Sequence, residues 1–143
     1  PFEDKVDFAN NTLPDNWTTD SKTFDSRAAY SVTAPSLKLG DKQYLQSPVY
    51  KQDVRGLSFW YRGNTANTEN SIVIYGLAKS GWEEIDHIAS VLNTAGGIEY
   101  KNDNIKDKDC LRTPDHWLRI LGRCGCLLWR QQGGTSSQEL YRP

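Results

Sequence analysis

The chain has no methionine, no cysteine before position 110 and no apolar run approaching the roughly 18 residues that span a bilayer. Each absence removes a class of protein. The residues ahead of Cys110 hold neither a disulfide framework nor thiol chemistry, and no membrane span is expected. Excess charge is missing too: 17 basic and 18 acidic side chains leave a formal net charge of −1, so no field draws nucleic acid or an anionic membrane surface. No apolar signal segment follows the N-terminus. With no Met even at position 1, the chain is expected to be a mature or trimmed piece of a longer protein with neighbouring domains. The sequons at Asn10-Asn11-Thr12 and Asn16-Trp17-Thr18 matter only in a eukaryotic secretory route. At 143 residues the chain fits one domain, which buries roughly two-thirds of its unfolded surface.

Aromatics are what the chain does have. The densest run is Gly56-Leu57-Ser58-Phe59-Trp60-Tyr61-Arg62-Gly63. Side chains alternate across a pleated strand, so Leu57, Phe59 and Tyr61 fall on one face and Ser58, Trp60 and Arg62 on the other. The first face is core. The second, a large ring beside a cation, is either a second packed layer or an exposed binding strip.

Around this run the chain reads as short strands set apart by breakers. Ala29-Tyr30-Ser31-Val32, Ser36-Leu37-Lys38-Leu39 and Gln43-Tyr44-Leu45-Gln46-Ser47 are separated by Pro35, Gly40-Asp41 and Pro48. Before them, Leu13-Pro14-Asp15-Asn16-Trp17 makes a turn, with Trp17 expected to cap an edge of the core. After them come Ser71 to Leu77, apolar on both faces, a turn at Lys79-Ser80-Gly81, Trp82-Glu83-Glu84-Ile85, and Ile98-Glu99-Tyr100. Nothing reads as a long helix. The expected fold is all-β, a sandwich of two antiparallel sheets with Leu57, Phe59, Ile72 and Ile74 in its core.

Taken in order, Leu13-Pro14-Asp15-Asn16-Trp17, Ser36-Leu37-Lys38-Leu39, Tyr44-Leu45-Gln46-Ser47-Pro48, Leu57 to Gly63 and Gly81-Trp82-Glu83-Glu84-Ile85 resemble the jelly-roll modules of bacterial surface proteins. These are the gingipain-type cleaved-adhesin domains and the MAM-like, galactose-binding-like modules. The resemblance implies a jelly-roll β-sandwich accessory domain, often calcium-stabilised, on a larger secreted or cell-surface protein. Its implied work is adhesion or glycan contact, without chemistry of its own.

The likeness covers residues 1–105, the sandwich body. Residues 106–143 form an atypical C-terminal segment, expected to supply final strands or to hang as a loosely attached tail. Gly122-Arg123-Cys124-Gly125-Cys126-Leu127-Leu128-Trp129 is foreign in composition to what precedes it, and the small-apolar-Asp-Asp-apolar motif that usually closes such modules is missing. Codons permitted for His116 to Gln132, read one nucleotide later, allow a string that alternates like a terminal strand. A shifted reading frame therefore stands beside natural divergence, and sequencing the source gene separates them.

Four groups of residues are candidates for function. Trp60, Tyr75 and Trp82, with Arg62 and Glu84, have the mixture a sugar site needs: flat rings stack on the CH faces of sugars while guanidinium and carboxylate groups fix hydroxyls. The alternative is that the rings are core or edge packing. Glu3 and Asp4, joined by Asp103 or Asp107, supply part of the six to eight oxygens that calcium takes, and otherwise form a solvated acidic terminus. Cys110, His116, Cys124 and Cys126 match no usual zinc spacing. His87 near Glu83, Glu84 and Asp86 lacks a positioned nucleophile, and Glu83 and Glu84, as strand neighbours, face opposite ways and cannot flank one glycosidic bond.

The chain is therefore not expected to be an enzyme, and no cofactor beyond calcium is implied. A glycan-binding or adhesion module leads, ahead of a purely structural accessory domain and, at a distance, a hydrolase with an unrecognised site. A ring that follows a Gly turn is better placed to meet a ligand than one mid-strand, so Trp82 is preferred over Trp60 as the centre of contact.

Overall fold

A computed structural model describes residues 2–4, 6–29, 32, 35–51, 54, 56–64, 69–78, 81–103, 105, 117–129 and 140–142. Twelve strands carry the fold: β1 (Phe2–Asp4), β2 (Thr18–Thr19), β3 (Phe24–Asp25), β4 (Ser36–Leu39), β5 (Tyr44–Gln46), β6 (Leu57–Gly63), β7 (Ser71–Ala78), β8 (Gly81–Ile88), β9 (Ile98–Asn102), β10 (Trp117–Arg123), β11 (Cys126–Trp129) and β12 (Leu140–Arg142). A 3-10 turn spans Ala9–Asn11. Of the run Ala29 to Val32, expected as a strand, Tyr30 and Ser31 lie outside the described residues, while Ala29 and Val32 form an isolated bridge, with the Val32 N–H donating to the Ala29 carbonyl at 3.0 Å.

The strands form two five-stranded antiparallel sheets, ordered β2-β5-β10-β7-β8 and β3-β4-β11-β6-β9, and a β1-β12 ribbon. This is a β-sandwich, and its core follows from period-two patterning. Leu45, Ile72, Ile74, Leu118 and Ile120 come from the first sheet, and Leu37, Leu39, Leu57, Phe59 and Leu128 from the second. Leu57, Phe59, Ile72 and Ile74 are all buried, as the sequence pattern requires, and Trp17 is buried against the same cluster.

Of the two arrangements expected for the C-terminal segment, final strands or a loose tail, residues 117–129 take the first. Strands β10 and β11 are interior members of the two sheets, so residues 117–129 are built into the sandwich and do not hang from it. Trp117-Leu118-Arg119-Ile120-Leu121-Gly122 alternates in burial, with Leu118, Ile120 and Gly122 inward. At Gly122 the two sheets approach closely: a Cβ there would lie 2.8 Å from the Leu39 Cβ and 2.9 Å from the Cys126 Sγ. No real side chain tolerates such distances without displacing a neighbour.

The second face of β6 turns out to be a packed layer. Trp60 stands directly opposite Trp129 on β11, and both join Ala29, Val32 and Leu127 in a smaller cluster outside the main core. The Trp129 indole N–H donates to the Arg27 carbonyl at 3.1 Å. Arg27 is itself held by Asp25, through Nε to Oδ1 and Nη2 to Oδ2 at 3.0 Å each, and by Asn64 Oδ1 at 2.7 Å. This fork geometry ties the covering segment to the sheet, and the guanidinium holds the Asp25 carboxyl below its ordinary range.

A polar clasp joins the two sheets at their β8 and β9 edges. The Tyr100 hydroxyl donates to Asp86 Oδ2 at 2.7 Å and accepts from Asn102 Nδ2 at 3.2 Å, while its ring stacks on Phe59 at 4.9 Å. Burial first, and Asp86 second, raise the Tyr100 pKa well above that of an ordinary tyrosine. Burial alone raises Tyr61 and pushes the Cys126 thiol up to about 12.

Two predictions follow from this packing. Gly122→Ala is expected to destabilise the fold by about 1–3 kcal/mol through overpacking between the sheets, measured by urea unfolding. An unchanged midpoint would show that the sheets can separate there without cost. The second concerns alkali. Folding favours the neutral forms of Tyr61, Tyr100 and Cys126, so the associated stability is fully present below the unfolded pKa values, 9.0 for the thiol and 10.0 for the phenols. It is lost as pH rises through the folded values. Unfolding midpoints followed by tryptophan fluorescence should fall above about pH 9, and less steeply in Tyr100→Phe.

Candidate functional site

The outward face of the first sheet carries the site. On β7 and β10 the inward residues are Ile72, Ile74, Leu118 and Ile120, so strand alternation turns Tyr75, Leu77, Arg119 and Leu121 outward. On β8 simple alternation gives the wrong answer. Ile88 and Asp86 oppose the inward Ile72 and Ile74, and counting back by twos would send Glu84 and Trp82 inward as well. A bulge between Ile74 and Tyr75 leaves Ile85 without a partner on β7. Beyond it Glu84 opposes Tyr75 and Trp82 opposes Leu77, so both lie on the outer face while Ile85 stays buried. Bulges re-aim side chains in this way.

Register then lines up one row across all five strands. Thr18 opposes Gln46, Gln46 opposes Arg119, Arg119 opposes Tyr75, and Tyr75 opposes Glu84. Directly opposed residues are the closest neighbours across a sheet.

Arg119 is the fixed point of the row. Its Nε and Nη2 donate to Gln46 Oε1 at 2.8 and 2.6 Å. Its guanidinium carbon lies 3.9 Å from the centre of the Tyr44 ring and 4.6 Å from that of Trp82, so the cation is held between two aromatic faces. Tyr75 meets Trp82 edge-on, with ring centres 6.1 Å apart and planes at 77°. Among the described residues no carboxylate pairs with Arg119, and Nη1 has no acceptor. Tyr75, Trp82, Arg119 and Leu121 line an open cleft of about 300 Å³. Trp82 is 46% exposed. The cleft thus combines a flat apolar surface with a preset row of hydrogen-bond donors and acceptors.

Of the residues singled out from sequence, Trp82, Tyr75 and Glu84 meet here. Trp60 and Arg62 lie in the other sheet: Trp60 is buried in the smaller cluster, and Arg62 donates to Asn93 Oδ1, from Nε at 3.0 Å and also from Nη2. The five therefore form two separate groups. Glu3 and Asp4 belong to β1, opposite Tyr141 and Leu140 on β12. Asp103 pairs with Lys101 Nζ at 3.6 Å, and Asp107, Cys110 and His116 lie outside the described residues. Among the described residues no group of three or more His, Cys, Asp or Glu side chains assembles that could hold a metal ion. Cys124 is exposed and Cys126 buried, both with free thiols. His87 is exposed on the edge strand β8.

Sequence reasoning missed Arg119, Tyr44 and Gln46. Gln46 and Tyr44 were read only as strand residues, and Arg119 sat in a segment set aside as foreign. The available signal was the alternation of Trp117 to Gly122, which marks a strand with Arg119 on its polar face.

No family model and no curated protein sequence matches the chain. Solved structures are similar to it, two of them as follows. TmCBM61, solved in complex with beta-1,4-galactotriose, aligns at 13% identity over 96% of this chain and 92% of its own, with a TM-score of 0.37. The K3 cleaved adhesin domain of Lys-gingipain from Porphyromonas gingivalis w83 aligns at 14% identity over 87% of this chain and 94% of its own, with a TM-score of 0.55. At that identity the likeness is one of fold: the chain is a jelly-roll β-sandwich similar to a gingipain cleaved-adhesin domain.

Proposed function

We propose that the chain is a non-catalytic glycan-binding or adhesion module of a secreted or bacterial cell-surface protein, and that it binds sugar at the Trp82 cleft. The observation that carries this is the half-exposed Trp82 ring, set beside a guanidinium whose position is fixed by Tyr44 and Gln46. A sugar ring offers CH groups to an aromatic face and hydroxyls to donors and acceptors at its rim. Arg119 Nη1 can donate to a hydroxyl and the Glu84 carboxylate can accept from one. Preordering of Arg119 lowers the entropy lost on binding. The fold likeness to a cleaved adhesin domain agrees with an accessory role at a cell surface.

Strand geometry supports a non-catalytic reading at one carboxylate pair. Glu83 opposes Gly76 and Glu84 opposes Tyr75, so the two carboxylates belong to opposite faces of β8 and cannot act across one bond.

The comparison of two tryptophans tests the proposal. Trp82→Ala should abolish binding on a glycan array while leaving the melting temperature nearly unchanged, because the ring is half exposed. Trp60→Ala should cost about 3–5 kcal/mol in stability, because the ring fills the layer against Trp129 and Leu127. A destabilised Trp82 variant together with a stable, non-binding Trp60 variant would move the site to the other sheet.

A further inference from the structure

The cleft is only half of the outer face. On the far side of Arg119 a second open depression, about 420 Å³, is lined by Asn16, Thr18, Gln46, Ser47, Pro48 and Val49. Gln46 lines this depression and also holds Arg119, so the Gln46–Arg119 pair is the low wall between the two hollows. Thr18 and Glu84 end the row at opposite edges of the sheet, four strand spacings or about 19 Å apart. Of the exposed large apolar residues, one stands in each hollow: Trp82 at one end and Val49, 49% exposed, at the other. The lining differs in kind. The Trp82 side is aromatic and apolar, and the Thr18 side offers hydroxyl and amide groups.

We infer that the ligand is a neutral oligosaccharide chain lying across the strands, with one sugar stacked at Trp82 and a later sugar held at Asn16, Thr18 and Val49. This rests on the glycan reading of the cleft and adds its length, direction and charge. Neutrality follows from the row itself, which contains one cation, Arg119, and one carboxylate, Glu84, two strands apart. A polyanion would meet Glu84 at one end and no second cation in the row. A single sugar would fill one hollow and leave the other to water. The aromatic end anchors, because ring stacking is the larger contribution, and the amide and hydroxyl end reads length.

Calorimetry with graded neutral gluco-, galacto- and manno-oligosaccharides, from monosaccharide to hexasaccharide, tests this on the whole chain. Affinity should climb beyond the disaccharide. The double variant Asn16→Gly, Thr18→Val should lose roughly tenfold for the hexasaccharide and leave the disaccharide unchanged. Glycine suits position 16, where φ is +71°, and valine suits a strand at position 18, so the variant should fold. Equal affinity for short and long chains, or a double variant that binds the hexasaccharide like the parent, overturns the inference and leaves the Trp82 site standing. Binding of none of the sugars overturns the site and the inference together.

Discussion

The structure depends on one short arch. Strands β10 and β11 are interior strands of different sheets, and only Cys124 and Gly125 join them. Both residues have positive φ, 68° and 132°, which lets the chain leave one sheet and enter the other within two residues. The arch is tied on both sides: the Cys124 N–H donates to Asp41 Oδ1 at 3.1 Å, and the Asn64 N–H donates to the Gly125 carbonyl at 3.3 Å. Next to it Gly122 permits a close approach of the two sheets. Every other strand of the two sheets attaches directly or through one neighbour to one of these two strands, so the arch sets the spacing and the relative position of both faces of the core.

The candidate site inherits its geometry from the same element. Arg119 is on β10 and lies between β5, which brings Tyr44 and Gln46, and β7, which brings Tyr75. Antiparallel register places Gln46 and Tyr75 opposite Arg119 and Tyr44 diagonal to it, without any local signal in their own strands. A slip of one residue in β10 would send Arg119 into the core and Leu118 to the surface. The burial of Leu118 and Ile120 therefore enforces the position of the guanidinium, which links core packing to ligand contact.

The two outer faces of the sandwich show what decides whether an aromatic strip becomes a site. Both carry tryptophan beside arginine. Over the second sheet Ala29 and Val32 pack on the rings, Arg27 is held nearby by Asp25 and Asn64, and Trp60 and Trp129 become a packed layer. Over the first sheet Trp82 remains half exposed, on an edge strand. The rings are chemically alike, and the difference is the presence of a covering segment.

Alternation in Leu57 to Tyr61 and in Ile72 to Ile74, broken by Gly, Pro and Asn, was enough to determine an all-β sandwich and four of its core residues, because period-two burial is local and leaves its mark on each strand separately. That Trp82 is the more open ring was also legible, from the glycine that precedes it; Lys79 and Ser80 of the expected turn lie outside the described residues. Three things were decided only in three dimensions. The bulge in β8 reversed the facing of Trp82 and Glu84, and a bulge depends on the partner strand and not on the bulged residues alone. Register brought Tyr44, Gln46 and Arg119 together across 75 positions of sequence, a pairing that no periodicity encodes. The interior place of β10 and β11 overrode their unfamiliar composition, because strand position follows from which edges remain to be paired once the rest of each sheet has formed, and the chain carries that information only as a whole.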